Sequence, residues 1–130
     1  MKKTELYIKS TNDVNNLHTI VWEPESEIKA IVQISHGMIE YIDRYDRFAR
    51  FLNSKGILVV GNDHLGHGLT ARDDEELGYF PTDKKSATVV EDLYKITQEI
   101  KSRYGDEVPY FVLGHSMGSF MIRRYIMTYG

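Results

Sequence analysis

Apolar and polar positions divide the chain into short, evenly spaced elements. Residues 4–9 and 17–22 carry β-type side chains in partial alternation on either side of Ser10-Thr11-Asn12-Asp13, a turn-forming cluster, and predict an antiparallel hairpin. Lys29-Ala30-Ile31-Val32-Gln33-Ile34-Ser35 is nearly continuous in apolar residues, the pattern of a strand buried on both faces of a parallel sheet. Tyr45, Phe48, Ala49 and Leu52 then follow an i, i+3, i+4, i+7 spacing, which predicts an amphipathic helix with Gly56 as its C-terminal cap. Ile57-Leu58-Val59-Val60 reads as a second buried strand. Val89, Leu93, Ile96 and Ile100 mark a second amphipathic helix that stops near Gly105, Tyr110-Phe111-Val112-Leu113 a third buried strand, and residues 120–128 a final helix. The long stretch between the second strand and the second helix carries Asp73-Asp74-Glu75-Glu76, read as a solvated charge run.

Strands alternating with helices predict an α/β fold: a mostly parallel sheet covered by helices on both faces, with right-handed crossovers. In such sheets the chemistry lies at the carboxyl ends of the strands. All three predicted buried strands end in glycine and histidine, as His36-Gly37, His64-Leu65-Gly66-His67-Gly68 and Gly114-His115.

Composition narrows the function classes. At 130 residues, 42% hydrophobic and 27% charged, the chain is a single globular unit at most, which excludes disordered and fibrous readings. The net charge of -3 comes from 19 acidic and 16 basic residues that are interspersed, so no basic stripe exists to meet nucleic acid. Without cysteine there is no disulfide, thiol nucleophile or thiolate metal site, which suits a reducing compartment. The two lysines at the start precede no apolar signal segment, and no stretch approaches 18 apolar residues. The expectation is a cytoplasmic, soluble protein with no stable membrane insertion.

Gly114-His115-Ser116-Met117-Gly118 matches G-x-S-x-G between a predicted strand and a predicted helix, the context of a nucleophile elbow. A sharp strand-to-helix turn strains the serine backbone, and the flanking glycines remove side chains that would collide there. Ser116 is thereby expected to stand exposed above the sheet as the nucleophile, with a helix N-terminus facing the developing oxyanion. Oxyanion stabilisation takes one backbone N–H from the residue after the nucleophile, here Met117. The second comes from a loop after an earlier strand, where Gly37 lets the N–H of Met38 face the site.

His36-Gly37-Met38-Ile39-Glu40 with Arg44-Tyr45, then Asp63-His64-Leu65-Gly66-His67-Gly68, then Gly114-His115-Ser116-Met117-Gly118-Ser119 resemble, in order and spacing, three signatures of the monoacylglycerol lipase and lysophospholipase family of the α/β-hydrolase superfamily. The resemblance implies the α/β-hydrolase fold and a serine esterase acting on small lipid-like monoacyl esters, with no metal or organic cofactor. In that family the triad acid and histidine base follow the nucleophile, with a cap between them. No Asp, Glu or His follows Ser116 here, so neither role is carried onto a residue of this chain. Residues 1–130 are therefore expected to be the N-terminal part of one α/β-hydrolase core domain, truncated after the elbow helix.

Other readings stand beside these. Ser116 could be an inert turn serine. His115 is read as structural, since it adjoins the nucleophile. His36, His64 and His67 could suggest a metal site, but their spacing matches no usual zinc pattern, and loop packing is preferred. Asp63 could orient a histidine and is read as tethering its own turn. Arg44 and Tyr45 are expected to anchor the oxyanion loop or start the helix. Gly66 and Gly68 lack the remaining features of a phosphate cradle. A peptidase or carbon–carbon hydrolase of the same fold, or an inert chain that self-associates through an exposed edge of the strand ending at Leu113, are the competing functions.

Overall fold

The computed structural model describes residues 2–11, 16–36, 41–63, 83–115 and 117–129. Strands β1 (Lys2–Lys9) and β2 (Asn16–Glu23) form the expected antiparallel hairpin, with Tyr7 opposite His18 and Lys3 opposite Trp22. Then follow β3 (Ala30–Ser35), a 3-10 turn (Ile42–Tyr45), α1 (Asp46–Asn53), β4 (Ile57–Asn62), α2 (Asp83–Tyr104), β5 (Tyr110–Gly114) and α3 (Met117–Tyr129). The sheet order is β1-β2-β4-β3-β5, with β4 parallel to β3, β3 parallel to β5, and the hairpin joined antiparallel through β2.

Strand alternation sorts the side chains into two cores. Leu17 and Val21 of β2, Ile31 of β3, and Leu58 and Val60 of β4 point to one face, where Leu93, Ile96 and Ile100 of α2 and Ile122 of α3 cover them. Ile20 and Trp22, Ile34 and Val59 point to the other, under Ile42 of the 3-10 turn and Ala49 of α1. Burying each of these large side chains contributes about 1.5–3 kcal/mol, which makes the strands β2, β3 and β4 the centre of the fold. The third strand departs from its prediction. Tyr110 and Val112 pack on the α2 and α3 side, but Phe111 and Leu113 are 58% and 41% exposed. The physical reason is position: β5 pairs with β3 alone among the described residues, and α1 covers β2 and β4 but not β5.

The helices end where glycine permits. Gly56 (φ 79°) and Gly105 (φ 94°) adopt the left-handed conformation after α1 and α2. The Gly105 N–H donates to the Lys101 carbonyl at 2.8 Å. On α1 the buried positions are Ala49 and Asn53, while Phe48, expected inside, is exposed. Asn53 takes the inward position because its amide donates to the carbonyls of Trp22 and Ile57, joining helix end to strand ends. A buried polar residue also interrupts β3: Gln33 donates to the Leu93 carbonyl and accepts from the hydroxyls of Thr97 and Tyr110, linking β3, α2 and β5.

Two expectations follow from this packing. A Cβ at Gly61 would lie 2.2 Å from Ile42 Cδ1 and 3.0 Å from the Ile34 carbonyl oxygen. Gly61→Ala should therefore lower stability by about 1–3 kcal/mol, read as a fall in Tm, because the turn cannot retreat without opening the second core. Asp46 accepts from Trp22 Nε1 at 2.9 Å and Arg50 Nε at 2.7 Å, and lies 3.1 Å from Lys3 Nζ. Burial pushes its carboxyl up, but these three donors together outweigh burial and bring it from 3.8 down to about 2. The folded state then binds this proton less readily than the unfolded chain, so the stabilisation is complete above pH 3.8 and fades as pH falls to about 2. Urea midpoints of wild type and Asp46→Asn, measured from pH 6 downward, should converge across that window.

Candidate active site

The parallel strands deliver their ends to one edge of the sheet. Ser35 stands opposite Gly114 in the β3–β5 register, and the His115 N–H donates to the Ser35 carbonyl at 3.2 Å. The chain passes from the last residue of β5, Gly114, to the first of α3, Met117, with only His115 and Ser116 between them. That is the short strand-to-helix connection the G-x-S-x-G pattern requires. It leaves the N–H groups of the first turn of α3, Met117 among them, without intrahelical acceptors. Ser116 and Met38 lie outside the described residues, as do Gly37, His64, Gly66, His67, Gly68 and the charge run at 73–76. His36 is buried at the end of β3, and His115 is exposed. Arg44 and Tyr45 belong to the 3-10 turn, with Tyr45 at the N-cap position of α1, which fits the reading that they start the helix.

Asp63 meets a histidine and a helical turn, while the turn after it, which it was expected to tether, lies outside the described residues. Asp63 Oδ2 lies 2.6 Å from His18 Nδ1, Oδ1 accepts the Ile42 N–H at 2.7 Å, and the Asp63 N–H donates to the His18 carbonyl at 2.9 Å. The other imidazole nitrogen, His18 Nε2, lies 2.9 Å from Glu5 Oε1. Both His18 and Asp63 are almost completely buried. Each ring nitrogen faces a carboxylate oxygen. Nothing in the apolar run around His18 advertises this. The signal was the extension of the hairpin's register onto β4, with Thr19 opposite Asn62 and hence His18 beside Asp63, and register is not readable from one strand alone.

A second carboxylate fixes the same end of the hairpin to α2. Asp92 accepts from Ser10 Oγ at 2.8 Å, from the Thr11 N–H at 2.8 Å and from Thr11 Oγ1 at 2.9 Å. Burial pushes its carboxyl up, against the pull of these donors and of Lys95. Among the described residues, no group of three or more His, Cys, Asp or Glu side chains is placed to hold a metal ion. A cleft of about 390 Å³ lined by Glu25, Ser26, Arg50, Asn53 and Ser54 opens at the opposite edge of the sheet, away from the ends of β3 and β5.

Comparison with known proteins agrees with this geometry. The family described as "Serine aminopeptidase, S33" (Hydrolase_4) matches residues 26–130. A monoglyceride lipase homolog of monkeypox virus is 39% identical over 115 residues, covering 85% of this chain and 39% of that protein. The rat (Rattus norvegicus) monoglyceride lipase is 36% identical over 97 residues, covering 75% of this chain and 30% of the lipase. Among solved structures, a thermostable carboxyl esterase from Bacillus coagulans, in complex with glycerol, superposes with a TM-score of 0.89 at 35% identity, over all of this chain and 41% of the esterase. The chain thus spans only about 30–41% of the length of these relatives. A family match over most of the residues, together with a sheet edge that brings β3, β4 and β5 to one place, establishes that the chain belongs to the Hydrolase_4 family and, within the α/β-hydrolase superfamily, to the monoacylglycerol lipases.

Proposed function

We propose that this protein is a serine hydrolase of carboxylic esters, acting on monoacyl lipid-like substrates. The observation that carries the reading is the two-residue passage from β5 into α3 at Gly114-His115-Ser116-Met117, in a chain whose relatives are named lipases and esterases. The Ser116 hydroxyl attacks the ester carbonyl, the alcohol leaves, and water releases the acid from the acyl-enzyme. The N–H groups of Met117 and Met38 receive the oxyanion, the first supported by the positive end of the α3 dipole. General base and acid are assigned to no residue of this sequence, since neither Asp, Glu nor His follows Ser116. The chemistry calls for no cofactor. Among the described residues no helix is long and apolar enough to cross a membrane.

The family's description names an aminopeptidase, which favours peptide hydrolysis as a second reading of the same nucleophile. A fluorophosphonate probe followed by intact-mass spectrometry tests the nucleophile, with Ser116→Ala as control. One adduct, lost in the variant, is expected. In residues 1–130, where no base is assigned, labelling should be slow, because a nucleophile without its base keeps only about 10³–10⁴-fold acceleration over water. An adduct that persists in Ser116→Ala overturns the assignment, and no adduct at all supports the inert reading of residues 1–130 instead. Turnover of p-nitrophenyl butyrate against an aminoacyl p-nitroanilide separates ester from peptide specificity.

A further inference from the structure

Helix α1 buries Ala49 and Asn53 and turns a different set of side chains outward. Phe51 is 58% exposed at the centre of that outer face, and exposed Arg47, Phe48 and Lys55 lie one turn to either side of it, at spacings of three or four residues. Arg44, exposed in the 3-10 turn, extends the row by the same spacing. Lys55 Nζ stands 5.8 Å from the centroid of the Phe51 ring. Three cations and two aromatic rings thus share a face about 16 Å long, at a rise of about 1.5 Å per residue. The acidic residues of the segment are engaged elsewhere. Asp43 and Asp46 lie 2.6 and 3.1 Å from Lys3 Nζ on β1, and Asp46 also holds Arg50 Nε at 2.7 Å. Glu25 lies beyond Arg50 in the cleft. Among the described residues, neither Arg44 nor Arg47 has a carboxylate within ion-pairing distance. On a chain of net charge -3 this face is a local reversal of sign.

We propose that the outer face of α1, carrying Arg44, Arg47, Phe48, Phe51 and Lys55, is a docking surface for an anionic phospholipid bilayer. A single exposed apolar side chain is ordinary, but neighbouring phenylalanines ringed by cations have the make-up of a surface that lies in a membrane interface. The rings enter the boundary between headgroups and acyl chains, while the arginine and lysine stems reach outward to lipid phosphates. Charge complementarity selects this occupant: a plane of phosphates answers the three cations, and the apolar layer directly beneath it answers Phe48 and Phe51. A nucleic acid duplex offers the phosphates without that layer. Adsorption of this kind is peripheral and reversible, needs no spanning helix, and is independent of the ester-hydrolase reading.

Co-sedimentation of the 130-residue chain with vesicles of phosphatidylcholine alone, and of phosphatidylcholine with about one third phosphatidylglycerol, reads the partition directly. Each cation near an anionic surface is worth about fivefold, so wild type should favour the anionic vesicles by about tenfold or more, and the preference should shrink as salt rises. Replacing all three cations together, as Arg44→Gln, Arg47→Gln and Lys55→Gln, should reduce binding to anionic vesicles by about tenfold or more. Phe51→Ser should weaken it by about fivefold or more, the loss of one ring from the interface. Phe111→Ser, on the exposed side of β5, is the control and should stay within about twofold of wild type. Emission from Trp22, which packs in the core beneath α1, reports that the helix stays seated. Where the triple variant shifts that emission, Arg47→Gln alone carries the expectation, at about fivefold. Equal partition into neutral and anionic vesicles, no partition of wild type into either, or a loss in Phe111→Ser that the α1 variants do not share overturns the proposal. So does self-association, read by light scattering without vesicles, that Phe51→Ser abolishes, since the face then belongs to a second copy of the chain.

Discussion

A strand with a hydrogen-bonded neighbour on each side and apolar side chains on both faces can persist only between two covering layers, and β4 is such a strand. Leu58 and Val60 enter one core while Val59 enters the other, and β2 and β3 flank it. Helices α2 and α3 are required on the first face, and the 3-10 turn with α1 on the second. Gly61 at the end of the same strand gives up its side chain so that Ile42 can close the second layer directly over the sheet. That close approach brings the start of the 3-10 turn within reach of Asp63, so the packing of the core and the placement of the 3-10 turn are one event.

Much of this layering is legible in the sequence because it depends on local periodicity. The hairpin, the near-continuous apolar runs of β3 and β4, and the glycines at 56 and 105 each follow from rules that act over a few residues. What escaped depends on partners distant in sequence. Gln33 looks like an interruption in β3 until Thr97 and Tyr110 arrive to satisfy it. Phe48 fits a helical apolar stripe, yet Asn53 takes the inward place because two carbonyls from separate strands need its amide. The outer face of β5 reads as buried from composition, and only the sheet order shows that nothing described covers Phe111 and Leu113.

The candidate site divides in the same way. Ser116 and the N–H of Met117 were named from a pattern whose spacing is itself the constraint, and the adjoining Gly114 and α3 lie where that pattern needs them. The polar clamp of Glu5, His18 and Asp63 had no such pattern, since its members are spread over three strands and meet only when the register is set. Burial makes His18 and Asp63 dependent on their partners, because an unpaired polar group in that position would lose its hydration without compensation, while Glu5 reaches the imidazole from the exposed side of β1. A network of this kind is more specific than an apolar filler and harder to see in advance.

The sheet order has a consequence for how the chain comes to be folded. β4 sits between β2 and β3, although β3 precedes it in the sequence. The N-terminal hairpin therefore has no edge to join when β3 first emerges during synthesis; it must wait until residues 57–62 are available to bridge them. A two-stranded ribbon alone is marginal in water, so Ile20 and Trp22 stay without their core during that interval. Folding must then close loops between distant segments before the hairpin gains its neighbours, the kind of non-local pairing that slows folding in general.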